Sequence, residues 1–179
     1  MSNRLQILKQ TPLYKGGKTL IDVGCITGSF EVKLASLYDK IIAFDPHQRE
    51  INRAKEETKH LKNVEIYCSN FKNMNFKGIK ADVVWMGNCL HYVFMEYNGF
   101  GFIPKLLSIA TKYVIIEYPT DPYRNASDMR SLLASLKIRK LEKLYNRKNI
   151  LKALTKDFKI EQMLESASKG REVLVLRRK

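Results

Sequence analysis

Between Ile21 and Phe30 the chain reads Ile-Asp-Val-Gly-Cys-Ile-Thr-Gly-Ser-Phe, an apolar run that ends in a glycine-bearing turn. Gly24 and Gly28 permit positive φ there and let a ligand approach the backbone closely. Asp45, seventeen residues beyond Gly28, closes the next apolar run. A carboxylate in that position can accept hydrogen bonds from both hydroxyls of a ribose. A second group, Gly87-Asn88-Cys89-Leu90-His91-Tyr92, follows the apolar run Asp82–Met86. His91 titrates near neutral pH and can take a proton. Asn88 and Tyr92 can orient a substrate, and His91 and Tyr92 can equally serve as packing. Cys89 has no adjacent proline or basic residue to lower its pKa, so it reads as an inert buried thiol rather than a nucleophile. Glu117, at the end of a later run, either faces the reacting group or caps the sheet.

These groups need strands that end side by side. Thr19–Val23, Lys40–Asp45, Val64–Cys68, Asp82–Met86 and Tyr113–Glu117 are short, nearly continuous apolar runs. Amphipathic segments separate most of them. Phe30, Leu34 and Leu37 recur at helical spacing within 29–38, Pro46 suits the first turn of a helix that continues over 49–61, and another helix falls near 102–110. Such alternation predicts a parallel sheet covered on both faces. Helical segments are expected over 127–155, with Asn146 as an N-cap of the last. Phe158–Glu165 and Glu172–Arg177, joined by Ser-Ala-Ser-Lys-Gly, read as a hairpin and hence an antiparallel pair. Open parallel sheets bind ligands at the carboxyl ends of their strands, where the strand order reverses.

The chain has 179 residues, with 32 Lys and Arg against 18 Asp and Glu, a formal net charge of +14. That surplus favours a polyanionic partner, and an AT-rich coding sequence would produce a similar composition. The length fits one domain over 1–179, with no linker and no repeat. Three separated cysteines and no CxxC pair argue against a disulfide framework and a structural zinc, and no metal is expected. No apolar run has the length of a signal peptide or a membrane span, so the expected setting is reducing and cytoplasmic, without a membrane partner.

Taken together, these motifs resemble the class I S-adenosylmethionine-dependent methyltransferases over nearly the whole chain. Asp22-Val23-Gly24-Cys25-Ile26-Thr27-Gly28 is similar to the family's first motif, with Ile26 in place of the middle of three alternating glycines. A branched residue there disfavours positive φ and crowds the methionine half of the cofactor. The resemblance implies a Rossmann-like α/β fold: a seven-stranded, mostly parallel sheet with a C-terminal antiparallel hairpin and helices on both faces. It implies S-adenosyl-L-methionine as cofactor, with Asp45, followed by Pro46, at the ribose and Asn70-Phe71 at the adenine. It also places Asp22, Gly24, Cys25 and Gly28 in the first turn, and Met86 and Gly87 where the fourth motif passes under the methyl group. Asn70 replaces the commoner Asp, and its carbonyl can still accept an adenine N6 hydrogen.

For the acceptor, the insertion 120–145 is expected to lie over the open face. Its Arg124, Arg130, Lys137, Arg139 and Lys140, with Tyr123 and Tyr145, suit phosphates and unpaired bases. The same stretch also fits a helix with a solvated charged face and Leu132, Leu133, Leu136 and Leu141 turned inward. RNA is the favoured acceptor. A small molecule or a protein side chain is the alternative, as is a catalytically silent relative that keeps the fold.

Overall fold

The computed structural model describes residues 3–119, 144–168 and 170–179. Seven strands form one sheet in the order β3-β2-β1-β4-β5-β7-β6. They are β1 Gly17–Val23, β2 Tyr38–Asp45, β3 Val64–Cys68, β4 Ala81–Gly87, β5 Ala110–Pro119, β6 Phe158–Glu165 and β7 Arg171–Arg178. The first five pair in parallel, and β7 runs antiparallel between β5 and β6. The order reverses between β1 and β4, which fixes where a ligand crevice opens.

Helices cover both faces. Successive residues of each strand point to opposite sides, so Leu20, Ile41, Ala43, Val83, Ile115 and Val175 pack with Leu8 of α1 (Asn3–Leu8), Leu34 of α2 (Ser29–Leu34) and Ile51 of α3 (Gln48–Thr58). Ile21, Ile42, Val84, Val114, Ile116 and Leu174 pack on the other side. They meet α4 (Leu90–Glu96), α5 (Ile103–Ile109) and α6 (Arg147–Leu154).

The expected strands all form, β3 and β6 with the expected bounds and the other five with longer ends. The helix expected over 29–38 stops at Leu34, tightens into a 3-10 turn at Ala35–Leu37, and gives way to β2 at Tyr38. A 3-10 turn closes the short connection that a helix running to 38 would overshoot. Pro46 lies before the cap His47 of α3 rather than within its first turn. Asn146 caps α6 as expected, its side chain accepting from the Asn149 amide at 2.9 Å. The insertion's Arg124, Arg130, Lys137, Arg139 and Lys140 lie outside the described residues.

Candidate active site

The first turn is built by two hydrogen bonds and a glycine. Gly24 and Cys25 N–H both donate to the Phe44 carbonyl, at 2.9 and 3.2 Å, which fastens the turn to β2 immediately before Asp45. Gly24 has φ +80, and a Cβ there would stand 3.1 Å from Cys89 Cβ. The turn therefore packs closely against the start of α4, where a side chain would be tight and its positive φ strained. Cys89 Sγ donates to the Val23 carbonyl at 2.9 Å, and burial pushes its pKa well up. It is a structural thiol.

Ile26 adopts φ +51 with 54% of its surface exposed. The reading that a branched residue would avoid this conformation is corrected: the backbone keeps the left-handed shape expected of the missing glycine, and Ile26 bears the strain. Its side chain stands at the edge of the crevice. On the other side of that crevice Asn88, φ +60, turns the chain out of β4, its amide donating to the Glu117 carbonyl at 2.8 Å.

These turns enclose a cavity of about 850 Å³ at the carboxyl ends of β1, β2 and β4. Asp22, Gly24, Cys25, Asp45, Pro46, Asn70, Phe71, Gly87, Asn88 and Tyr92 line it, as do Phe44, Trp85, Lys33 and Glu50. Gly28 and Met86 do not. Gly28 (φ +79) packs against α3, where a Cβ would meet Ala54 Cα at 2.9 Å, and Met86 is fully buried beneath. Glu117 is also buried away from it, accepting from Ser166 Oγ at 2.5 Å.

His91 is 9% exposed and outside the cavity wall, its ring 4.0 Å from that of Tyr92. Burial, aided by the nearby Arg171 charge, lowers its pKa to about 4. The expectation that it titrates near neutrality is corrected: burial penalises the imidazolium.

Asp45 is buried, and its Oδ1 accepts from His47 N and pairs with His47 Nδ1, both at 2.9 Å. Oδ2 has no partner among the described residues, so one oxygen shapes the turn and the other is available to a ligand hydroxyl. Asn70 differs from expectation. Its Oδ1 already accepts from the Asn73 amide at 2.8 Å, so this side chain caps its own loop. Phe71 and Phe44, ring centroids 6.4 Å apart, form an apolar wall beside it. Sequence reasoning missed Phe30, stacked on Trp85 at 5.7 Å, as well as Glu96 and Arg171, all on the cavity wall. Phe30 and Trp85 carried a signal, since each is a large apolar residue next to a motif.

In a protein of net charge +14, this crevice is lined by Asp22, Asp45, Glu50 and Glu96 against Lys33 and Arg171. An acidic lining in a basic protein suits a cation. Together with the free oxygen of Asp45 and the close glycine turn, it fits a sulfonium nucleoside bearing a ribose. No cluster of His, Cys, Asp and Glu able to hold a metal occurs among the described residues.

A family model described as a methyltransferase domain matches residues 20–100, from β1 into the turn before α5. The fold is similar to that of the N-methyltransferase NodS from Bradyrhizobium japonicum WM9 in complex with S-adenosyl-L-homocysteine. Identity is 15%, with 98% of this chain and 85% of that one covered and a TM-score of 0.74. Magnesium protoporphyrin IX methyltransferase from Synechocystis PCC 6803, with bound S-adenosylmethionine, is 17% identical over 92% of this chain and 71% of that one, TM-score 0.66. An rRNA methylase from Streptococcus thermophilus is 12% identical over 99% and 98%, TM-score 0.61. No curated protein matches the sequence. The whole chain thus shares the Rossmann-like fold of S-adenosylmethionine-dependent methyltransferases, and residues 20–100 match a methyltransferase-domain family model. Two of these neighbours hold S-adenosylhomocysteine or S-adenosylmethionine.

Proposed function

We propose that this is a cytoplasmic methyltransferase, a single domain over 1–179, that methylates RNA. The observation that carries the cofactor half is the acidic crevice in a basic protein, with Asp45 Oδ2 at the end of β2 unpartnered among the described residues. Asp45 would hold the ribose, Phe71 and the Asn70 loop would border the adenine, and Asp22 and the Gly24–Cys25 turn would face the methionine half. Bound there, the cofactor supplies an electrophilic methyl on a sulfonium leaving group. The protein's main task is then to align the acceptor. Tyr92, 47% exposed on the cavity wall, and Asn88 beside it are the residues placed to orient it. His91, held neutral and off the wall, supports Tyr92 rather than acting as a base. Glu117, engaged by Ser166, holds the end of β5.

The RNA half rests on charge. The net charge of +14, with Arg124, Arg130, Lys137, Arg139 and Lys140 in the segment that follows β5, suits phosphates and unpaired bases. A chain of the same fold and nearly the same extent carries the description rRNA methylase. A small-molecule acceptor is the second reading, favoured by the porphyrin methyltransferase of the same fold. Incubating the protein with methyl-labelled cofactor and cell extract, then separating RNA, protein and metabolites, decides between them. Label in RNA is expected; label confined to protein or small molecules overturns the RNA assignment.

A further inference from the structure

Ile26 holds a conformation that its own side chain opposes. Its φ of +51 is left-handed, a backbone that costs a β-branched residue far more than it costs glycine. Strain of this kind persists only where something outweighs it, and it gathers at ligand sites. Burial does not outweigh it here, because more than half of Ile26 is exposed. The Gly28 amide donates to the Cys25 carbonyl at 3.2 Å, which leaves Ile26 at the tip of a tight turn.

Exposure sorts the cavity lining into a deep set and a rim. Asp22, Cys25, Asp45 and Phe71, on which the cofactor reading rests, are all buried. Ile26 and Tyr92 line the same cavity and are the large hydrophobic residues of its described wall that stand exposed. They sit on turns that are fastened together. Cys89 Sγ donates to the Val23 carbonyl, and a Cβ on Gly24 would touch Cys89, three residues before Tyr92. The Tyr92 ring is backed by that of buried His91, their centroids 4.0 Å apart. Two exposed apolar side chains on adjoining turns make an apolar lip outside the deep pocket.

Charge restricts what can pass that lip. Behind it the cavity carries Asp22, Asp45, Glu50 and Glu96 against Lys33 and Arg171. Such a lining repels a phosphate and leaves a neutral planar ring unopposed. Every unpaired base offers a π face to an aromatic or aliphatic side chain.

We propose that Ile26 is a specificity-determining residue: with Tyr92 it forms an apolar lip that admits an unpaired base of the RNA acceptor and leaves the phosphates outside. A glycine in its place would keep the turn and open the lip. The inference rests on the RNA reading of the same crevice, and adds which part of the RNA enters and which side chain selects it.

The test uses the full-length protein saturated with S-adenosylhomocysteine, so that the cofactor's own nucleoside pocket is filled. The Ile26 δ1-methyl NMR signal is the one missing from Ile26→Leu. The four ribonucleosides, ribose 5-phosphate and a short single-stranded RNA of mixed sequence are added in separate arms. A base at the lip moves the methyl signal upfield by its ring current, which ribose 5-phosphate cannot do. Saturable upfield shifts from the RNA and from at least one nucleoside are expected, with none from ribose 5-phosphate. Shifts from nucleosides but not from RNA would mark a free nucleoside as acceptor and overturn the assignment.

Ile26→Gly separates the lip from the fold. Without ligand it should melt no lower than the wild type, since glycine relieves the turn. Its affinity for S-adenosylhomocysteine should stay within about twofold, while its RNA affinity falls about 3- to 10-fold. Ile26→Leu keeps the apolar bulk and should hold RNA within about twofold of the wild type. A melting temperature several degrees lower in Ile26→Gly would make Ile26 a packing residue, and lost S-adenosylhomocysteine affinity would give it to the cofactor. Either result overturns the proposal. If a labelled RNA binds the wild type by fluorescence anisotropy while the methyl signal stays still, the lip falls and the RNA reading stands. If neither RNA nor any nucleoside binds the loaded protein, the RNA reading fails and the lip falls with it.

Discussion

Asp45 is the residue on which the crevice's chemistry converges, because it lines the cavity with one oxygen committed to the His47 turn and the other without a partner among the described residues. Asp45→Ala should weaken binding of S-adenosylhomocysteine by about 1.5–3 kcal/mol, the loss of a charged hydrogen bond. Calorimetry checks this; equal affinity in the variant would remove Asp45 from the ribose site. His91 gives a second prediction. Its folded pKa, about 4, lies below the ordinary value of 6.5, so the unfolded chain binds more protons between those two values. Stability is therefore full above pH 6.5 and falls as pH drops toward 4, by up to about 1.4 kcal/mol per pH unit. Urea unfolding of the wild type should show this slope, and His91→Gln should flatten it. Parallel curves would assign the titration elsewhere. Residue identity alone told only part of this. Asp45 was legible from its place at a strand end, whereas the self-capping of Asn70 depends on a loop geometry that no spacing encodes.

The inner strands β1, β2, β4 and β5 were readable in the sequence because each is a short apolar run, buried on both faces over most of its length, between polar segments. The hairpin was readable from two strand-like runs on either side of a short Ser- and Gly-bearing turn. Helix α4 was not assigned as a helix, since Leu90–Glu96 mixes aromatic and apolar residues with no polar face to reveal a period. Nor could Arg171 be recognised, because its place on the cavity wall depends on the antiparallel insertion of β7 beside β5, a long-range pairing. Gly28 belongs to this scale as well. In sequence it reads as a ligand glycine, and in the fold it is where α2 meets α3. Gly28→Ala should destabilise the protein by about 2–4 kcal/mol, from overpacking against Ala54 together with the left-handed backbone. Gly78 (φ +76) is the control, since a Cβ there meets nothing within 4 Å. Gly78→Ala should cost only about 1–2 kcal/mol, the backbone penalty alone. Equal losses in the two variants would mean that the α2–α3 contact does not constrain Gly28.

Across the whole molecule, charge is divided by function: acidic lining within the crevice, and a large basic excess over the chain. On the proposed function, this division separates the salt dependence of RNA binding from that of cofactor binding. Affinity for single-stranded RNA should fall by roughly two orders of magnitude or more between about 50 and 200 mM salt, as several phosphate contacts release counterions. Affinity for S-adenosylhomocysteine, bound in a partly enclosed cavity, should change far less. Comparable slopes for both would contradict an electrostatic RNA surface. Among the described residues no helix is long and apolar enough to cross a membrane. The claim beneath all of this is that the β1–β2–β4 crevice receives the adenosyl group of the cofactor. A crystal structure of the protein grown with S-adenosylhomocysteine tests it most directly. The account predicts the nucleoside in the 850 Å³ cavity with its ribose on Asp45 and its adenine beside Phe71. A folded protein with that ligand bound elsewhere, or with Ile26 filling the cavity and nothing bound, would contradict it.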